Sequence, residues 1–273
     1  MWRPRIIPVL LLCAGCAATR PLASHPAPSS LPSAAELQAA LAARRAALHS
    51  LRGIAHLRYR SPEESSSSRE AIIVARPDRL RVEVLSMFGS LFVLTAEHGT
   101  MMAYARQEDT VYQGQASSEN LWRYARLALP VSDIVDIVLG TPPLRQVRRA
   151  RVSFDDRSGW VRLDQESDDA AQIVWFNELQ MPTAAEERGS DGRPCWRARF
   201  DDYESNAGLS VATRIRLESP AVSRTMEIAL GDVDVNPPLE RSAFTFPIPP
   251  GSKVVDLDAA HLDRRDLIDG VME

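Results

Sequence analysis

Three cysteines, five histidines and a few paired acids are the residues of this 273-residue chain best suited to bond-making chemistry. Cys13 and Cys16 stand three apart at the end of a short apolar run, in MWRPRIIPVLLLCAGCAATR. A disulfide, a metal site or a processing signal are the chemistries open to them. A redox Cys-x-x-Cys needs a strand–helix setting that is missing here. A zinc site needs two further ligands that nothing nearby supplies. His25, His49, His56, His98 and His261 are scattered along the chain. No G-x-S-x-G, H-E-x-x-H or phosphate loop occurs. The acid pairs Asp168-Asp169 and Asp201-Asp202 fall at turns or strand ends, where solvated carboxylates belong. The chain therefore reads as a non-enzyme with no cofactor and no metal, and Cys195 as a small buried or half-buried residue without chemistry.

Processing explains the cysteine pair best. Arg3 and Arg5 precede an apolar stretch too short to span a bilayer, and small residues follow it. Leu12-Cys13-Ala14-Gly15-Cys16 resembles a bacterial lipobox, with Cys13 in place of the usual Leu. On this reading residues 1–15 are a signal peptide and Cys16 is the lipidated residue. Several acyl chains, each CH₂ contributing about 0.8 kcal/mol, would make a near-permanent anchor. Ala17, where an Asp would favour inner-membrane retention, implies the outer membrane. Residues 16–32 then form the lipidated start and a Pro/Ser/Ala-rich tether, and 33–273 a single domain.

The composition, 45% hydrophobic and 25% charged, is that of a globular protein, and the net charge of −4 argues against nucleic acid. Ser33-Ala34-Ala35-Glu36 is a capping box. It predicts a helix over 34–52, with Leu37, Leu41, Leu48 and Leu51 on one face and Gly53 beyond its end. Alternation then predicts strands at 53–60, 70–76, 79–86, 91–97, 100–106 and 110–114, with the serine run after Pro62 in a turn. Two helical segments within 117–140 follow, divided by Pro130, the second capped by Ser132. Strands resume over VRRARVSFDD, GWVRLDQE, AQIVWFN, PCWRARFDDYE, SVATRIRLES and SRTMEIALGDVDV. A closing helix is expected in the tail. Arg79, Arg81, Arg197, Arg199, Arg214 and Arg216 alternate with apolar residues; they could meet an acidic carrier or lipid headgroups, though such charges more often form a solvated outer face. So many half-apolar strands must roll up or stack, and such a sheet encloses more room than its own side chains fill.

Four stretches resemble the LolB/LolA group of lipoprotein carriers: the first helix running into LRGIAHLRYR, the insertion LWRYARLALPVSDIVDIVLGTPP, the strand pair WRARFDDYESNAGLSVATRIRLES, and the ending AFTFPIPPGSKVVDLD. The resemblance covers most of 33–257 and, with Cys16, is closer to LolB. It implies a mostly β fold, a half-open antiparallel barrel closed by a helical lid. It implies an apolar cavity for acyl chains of lipoproteins, received from a soluble periplasmic carrier and inserted at the periplasmic face of the outer membrane. Transport of phospholipid or glycolipid, or a structural envelope role, is the alternative for the same fold. Cavity and lid would draw on Leu80, Val82, Val84, Met101, Trp122, Tyr124, Ile134, Val138, Trp196, Phe200, Ile215 and Met226, positions that plain core packing would also explain. The resemblance implies a membrane-insertion loop at Met87, Phe88 and Gly89. Against this stands Phe88 folded back as a core plug.

Overall fold

Ser33 opens the first helix as its sequence predicts: its hydroxyl accepts from the Glu36 N–H at 3.2 Å, while the Glu36 carboxylate accepts from the Ser33 N–H at 2.7 Å. The computed structural model describes residues 25–125 and 128–259. Helix α1 (Ala34–Ala47) lays Leu37 and Leu41 into the core. The helix expected over 34–52 stops here, because the chain from Ser50 onward is claimed by strand pairing. The side-chain carbonyl of Asn236 accepts from the N–H groups of His49 and Ser50 at 3.0 and 3.2 Å, which turns the chain into the sheet. Leu48 and Leu51 are buried as extended residues instead.

Six strands follow as an antiparallel meander: β1 (Ser50–Arg60), β2 (Ser65–Ala75), β3 (Arg79–Ser86), β4 (Gly89–Glu97), β5 (Thr100–Ala105) and β6 (Thr110–Gln115). The serines expected in a turn form the start of β2, where Ser65–Ser68 pair with Arg60–Leu57; tertiary pairing overrides their weak strand preference. Helices α2 (Ser118–Ala125) and α3 (Val131–Val138) come next. Pro130, not Ser132, occupies the cap of α3. A second meander runs through β7 (Arg149–Asp155), β8 (Trp160–Glu166), β9 (Ala170–Phe176), β10 (Pro182–Gly189), β11 (Pro194–Asn206), β12 (Leu209–Ser219) and β13 (Arg224–Val235). Strand β13 returns beside β1, and β14 (Lys253–Asp256) joins β6 in parallel.

The result is one mostly β, fourteen-stranded sheet that does not close, with β14 and β7 as its edges. The right-handed twist of neighbouring strands coils so wide a sheet into a trough. Inward residues such as Leu51, Ala55, Ile72, Leu80, Met101 and Ile215 are buried in it, under α1 and α3. On the outside, β3 and β4 are covered by the C-terminal segment. Arg81 donates to the Thr245 carbonyl at 2.7 Å, and the Arg79 guanidinium lies 4.7 Å from the centre of the Phe244 ring. These two arginines hold chain in place; they are not part of a solvated face. The expected signal peptide, Cys16 and most of the expected closing helix lie outside the described residues.

Candidate functional site

The concave face of the trough gathers the lining residues read from the sequence. Leu80, Met101, Trp196, Phe200, Ile215 and Met226 are buried there, and Val82 and Val84 are half-buried. Ile134 and Val138 descend onto them from α3. The hollow expected from strand number is thus occupied by helix side chains in this conformation. Two clefts lie elsewhere. One, of about 560 Å³, is on the outer face of the central strands. The other, of about 260 Å³, sits between α1, the β9–β10 turn and the start of β12.

The helices over this face are held very differently. Helix α3 is apolar except at Ser132, Asp133 and Asp136, and both carboxylates are buried. Asp136 pairs with Arg45 of α1 and with Arg76 beyond β2. Asp133 takes a two-pronged contact from Arg145 at 2.6 and 3.1 Å, and Arg145 also reaches Glu187 of β10 at 2.7 Å. Burial alone would lower the pKa of Arg145, but its bonds to Asp133 and Glu187 outweigh that and hold it above the ordinary arginine range. Just past α3, Gly140 takes φ +67°, and its carbonyl accepts from Arg44 at 3.4 Å. Buried ion pairs with extra hydrogen bonds are costly to open from one side, so α3 is fixed to the sheet and to α1.

Helix α2 is held by rings. Trp122 is half-buried, with the Arg224 guanidinium 4.0 Å from its centre. Tyr124 stacks on Phe92 at 6.4 Å and meets Tyr112 at 5.0 Å. Burial pushes the Tyr124 phenol well above its ordinary pKa, and among the described residues its buried oxygen has no hydrogen-bond partner. The N-terminal end of α2 is tied down: Asn120 donates to the Gln115 carbonyl at 2.9 Å and to Asp258 at 3.2 Å. Among the described residues its ion pair, Arg123–Glu119 at 2.8 Å, stays within the helix.

Met87 and Phe88 form the two-residue turn between β3 and β4, and the two residues are 93% and 82% exposed. Phe88 does not fold back as a core plug. The turn is held by hydrogen bonds. The Ser86 hydroxyl accepts from the Phe88 N–H at 3.1 Å and donates to the Gly89 carbonyl at 2.7 Å. Arg106 donates to the Phe88 carbonyl at 2.8 Å. Gly89 at φ +103° lets the chain turn back into β4.

Glu70 is a residue that sequence reading missed. It faces inward on β2, buried opposite Ala55 and Val84, with the Ser68 hydroxyl donating to it at 2.7 Å. Burial raises its pKa, more than the serine bond lowers it. Its position in the run Ser66, Ser68, Glu70, Ile72 was the available signal, hidden by the reading of the serines as a turn. Asp133 and Asp136 were visible as two acids three apart in an otherwise apolar helix. Cys195 is exposed, contrary to the expectation of a buried thiol, because it points outward on β11 beside the inward Trp196. Among the described residues no three of His, Cys, Asp and Glu come together as metal ligands. Among them, too, no helix is long and apolar enough to cross a membrane.

The family profile described as outer membrane lipoprotein LolB matches residues 51–231. Solved structures share the fold at low identity. A domain assigned to outer membrane lipoprotein sorting, from Vibrio parahaemolyticus, is 14% identical with a TM-score of 0.57, covering 78% of this chain and 97% of its own. A LolA superfamily protein from Nitrosomonas europaea is 16% identical, TM-score 0.54, over 79% and 99%. A DUF1329 family protein from Desulfovibrio piger is 13% identical, TM-score 0.54, over 78% and 98%. No curated protein sequence gives a significant match.

Proposed function

The chain belongs to the LolB family of outer membrane lipoproteins, and from that premise we propose that it receives lipoproteins by their acyl chains and inserts them into the outer membrane. In this reading Cys16 carries the lipid anchor, a soluble periplasmic carrier delivers the cargo, and the protein acts without catalysis. The acyl chains occupy the concave face, against Leu80, Met101, Phe200 and Met226, in the space now taken by α2, whose Leu121 is fully buried in that core and whose Tyr124 packs against it. A dry wall of aliphatic and aromatic groups accepts hydrocarbon without directional bonds. Because α3 is fixed by buried ion pairs while α2 is held by rings, α2 is the element that yields to the guest.

The observation that carries the reading is the Met87–Phe88 turn. Two large apolar side chains, nearly fully exposed on a hydrogen-bonded hairpin, have no folding role to fill. Inserted in a bilayer, each would gain roughly 1.5–3 kcal/mol at full burial. Replacing both by Ser is expected to leave the melting temperature unchanged and to lower delivery of a lipoprotein from carrier to outer-membrane vesicles by about a hundredfold, the equivalent of about 3 kcal/mol. Unchanged delivery would overturn the insertion role. Phospholipid or glycolipid recovered from the purified protein, with no transfer of lipoprotein, would instead support lipid transport.

A further inference from the structure

Pairing register sets two rows of outward side chains across the four central strands. Arg214, Ala229, His56 and Arg69 stand side by side on β12, β13, β1 and β2; one step along come Arg216, Glu227, Arg58 and Ser67. Ala229 and Ser67 are small, so the arginines rise as walls over a low floor. This is the outer cleft of about 560 Å³, within the range of small-ligand sites.

Its charge is unbalanced. Glu227 is shared by Arg216 at 3.1 Å, Arg58 at 3.8 Å and Arg60 at 4.0 Å. Arg216 also reaches Glu218 at 2.8 Å, and Arg214 reaches Asp202 at 3.0 Å. The first row contains no acid within these four strands; Asp201, opposite Arg214 on β11, pairs with Arg199 at 3.3 Å, and Arg69 has no ion-pair partner among the described residues. Five arginines thus share three carboxylates, in a chain whose net charge is −4. The recess therefore holds more guanidinium than carboxylate, and like charges crowded in one recess repel, so folding does not reward the excess. A bound anion would.

We propose that this cleft binds the phosphate of an anionic lipid headgroup, at a site separate from the concave face and from the Met87–Phe88 turn. Guanidinium groups present forked donors that match phosphate oxygens two at a time. The recess admits a headgroup, whereas the flat surface of an acidic protein would rest on the rims and leave the floor empty. Arg69 and Arg214, on opposite walls, would clasp the phosphate, with Arg58 beside it.

The test uses the full chain with Cys16→Ala, so that no anchor dominates, titrated with monomeric dihexanoyl-phosphatidylglycerol. Dihexanoyl-phosphatidylcholine, inorganic phosphate and a polyglutamate peptide are the comparators. The glycerol lipid should bind at least tenfold more tightly than the choline lipid or phosphate, and the preference should shrink as salt is raised. Arg69→Ser with Arg214→Ser should abolish the preference without lowering the melting temperature; Arg69→Gln alone, a milder change, should reduce it severalfold. Equal binding of the two lipids, or a preference unchanged in both variants, would overturn the proposal. So would phosphate binding as tightly as the glycerol lipid, which would leave an anion site and no lipid site, or tighter binding of polyglutamate, which would make the cleft a protein-docking surface. Tails are common to both lipids, so binding to the concave face registers equally with each and is told apart from binding in the cleft.

Discussion

Replacing Asp136 by Asn tests whether α3 is fixed to the sheet. The Asp136 side chain is 3% exposed and faces Arg76, 9% exposed, and Arg45, 27% exposed. Asn keeps the volume and removes the charge, which leaves two guanidinium groups without their counter-ion. Removing one partner of a buried pair costs about 3–5 kcal/mol. Here the lower end applies. Arg45 is partly solvated, and Arg76 keeps its bonds to the Leu48 carbonyl at 3.1 Å and the Thr141 hydroxyl at 2.8 Å. A loss of about 3 kcal/mol, at roughly 2–4 °C per kcal/mol for a chain of this size, lowers the melting temperature by about 6–12 °C. Scanning calorimetry or chemical denaturation reads this directly. The control is Asp234→Asn, which removes the half-exposed Arg52–Asp234 pair at 2.6 Å and should cost less than about 1 kcal/mol. If Asp136→Asn costs no more than the control, the buried triad does not fix α3, and the assignment of α2 as the yielding element loses its ground.

Glu70→Gln should flatten the dependence of stability on pH. Burial raises the Glu70 pKa above its ordinary 4.5, so the folded state holds a proton that the unfolded state has released, and stability falls as pH rises above about 4.5 through the folded value. Melting temperatures of the variant between pH 4 and pH 8 should lack that decline; an unchanged profile would show that Glu70 stays ionised. Gly140→Ala should cost about 2 kcal/mol, because φ is +67° and the added carbon would sit 3.1 Å from the Ala212 Cβ, a loss read as a lower melting temperature. Cys195 should react with a maleimide at the rate of an exposed thiol in the native protein; labelling only after denaturation would contradict its outward position.

Period-two alternation located β3 at its observed bounds, because each inward Leu or Val has an outward Arg or Glu beside it. It failed for β10, whose Pro-Thr-Ala-Ala-Glu-Glu-Arg-Gly carries little strand preference. That segment is a strand because β9 and β11 flank it and because Arg188 and Arg197 pair with its buried Glu186. β14 was missed for a related reason: four residues in parallel pairing with β6 leave no pattern of their own. The same distinction separates the two candidate sites. Apolar lining was legible, since hydrophobicity alternates along each strand and needs no knowledge of partners. The cationic cleft was not, because it belongs to no segment: Arg69 and Arg214 stand 145 positions apart in sequence and share one row only through the pairings β2–β1, β1–β13 and β13–β12. Read along the chain, such an arginine is an outward charge that a headgroup or an acidic carrier could meet and that water more often does, with nothing to show which others share its row. Pairing register decides whether an acid stands across from it, as Glu186 does for Arg197, or none does, as for Arg69 opposite His56, which leaves the charge for an anion from outside.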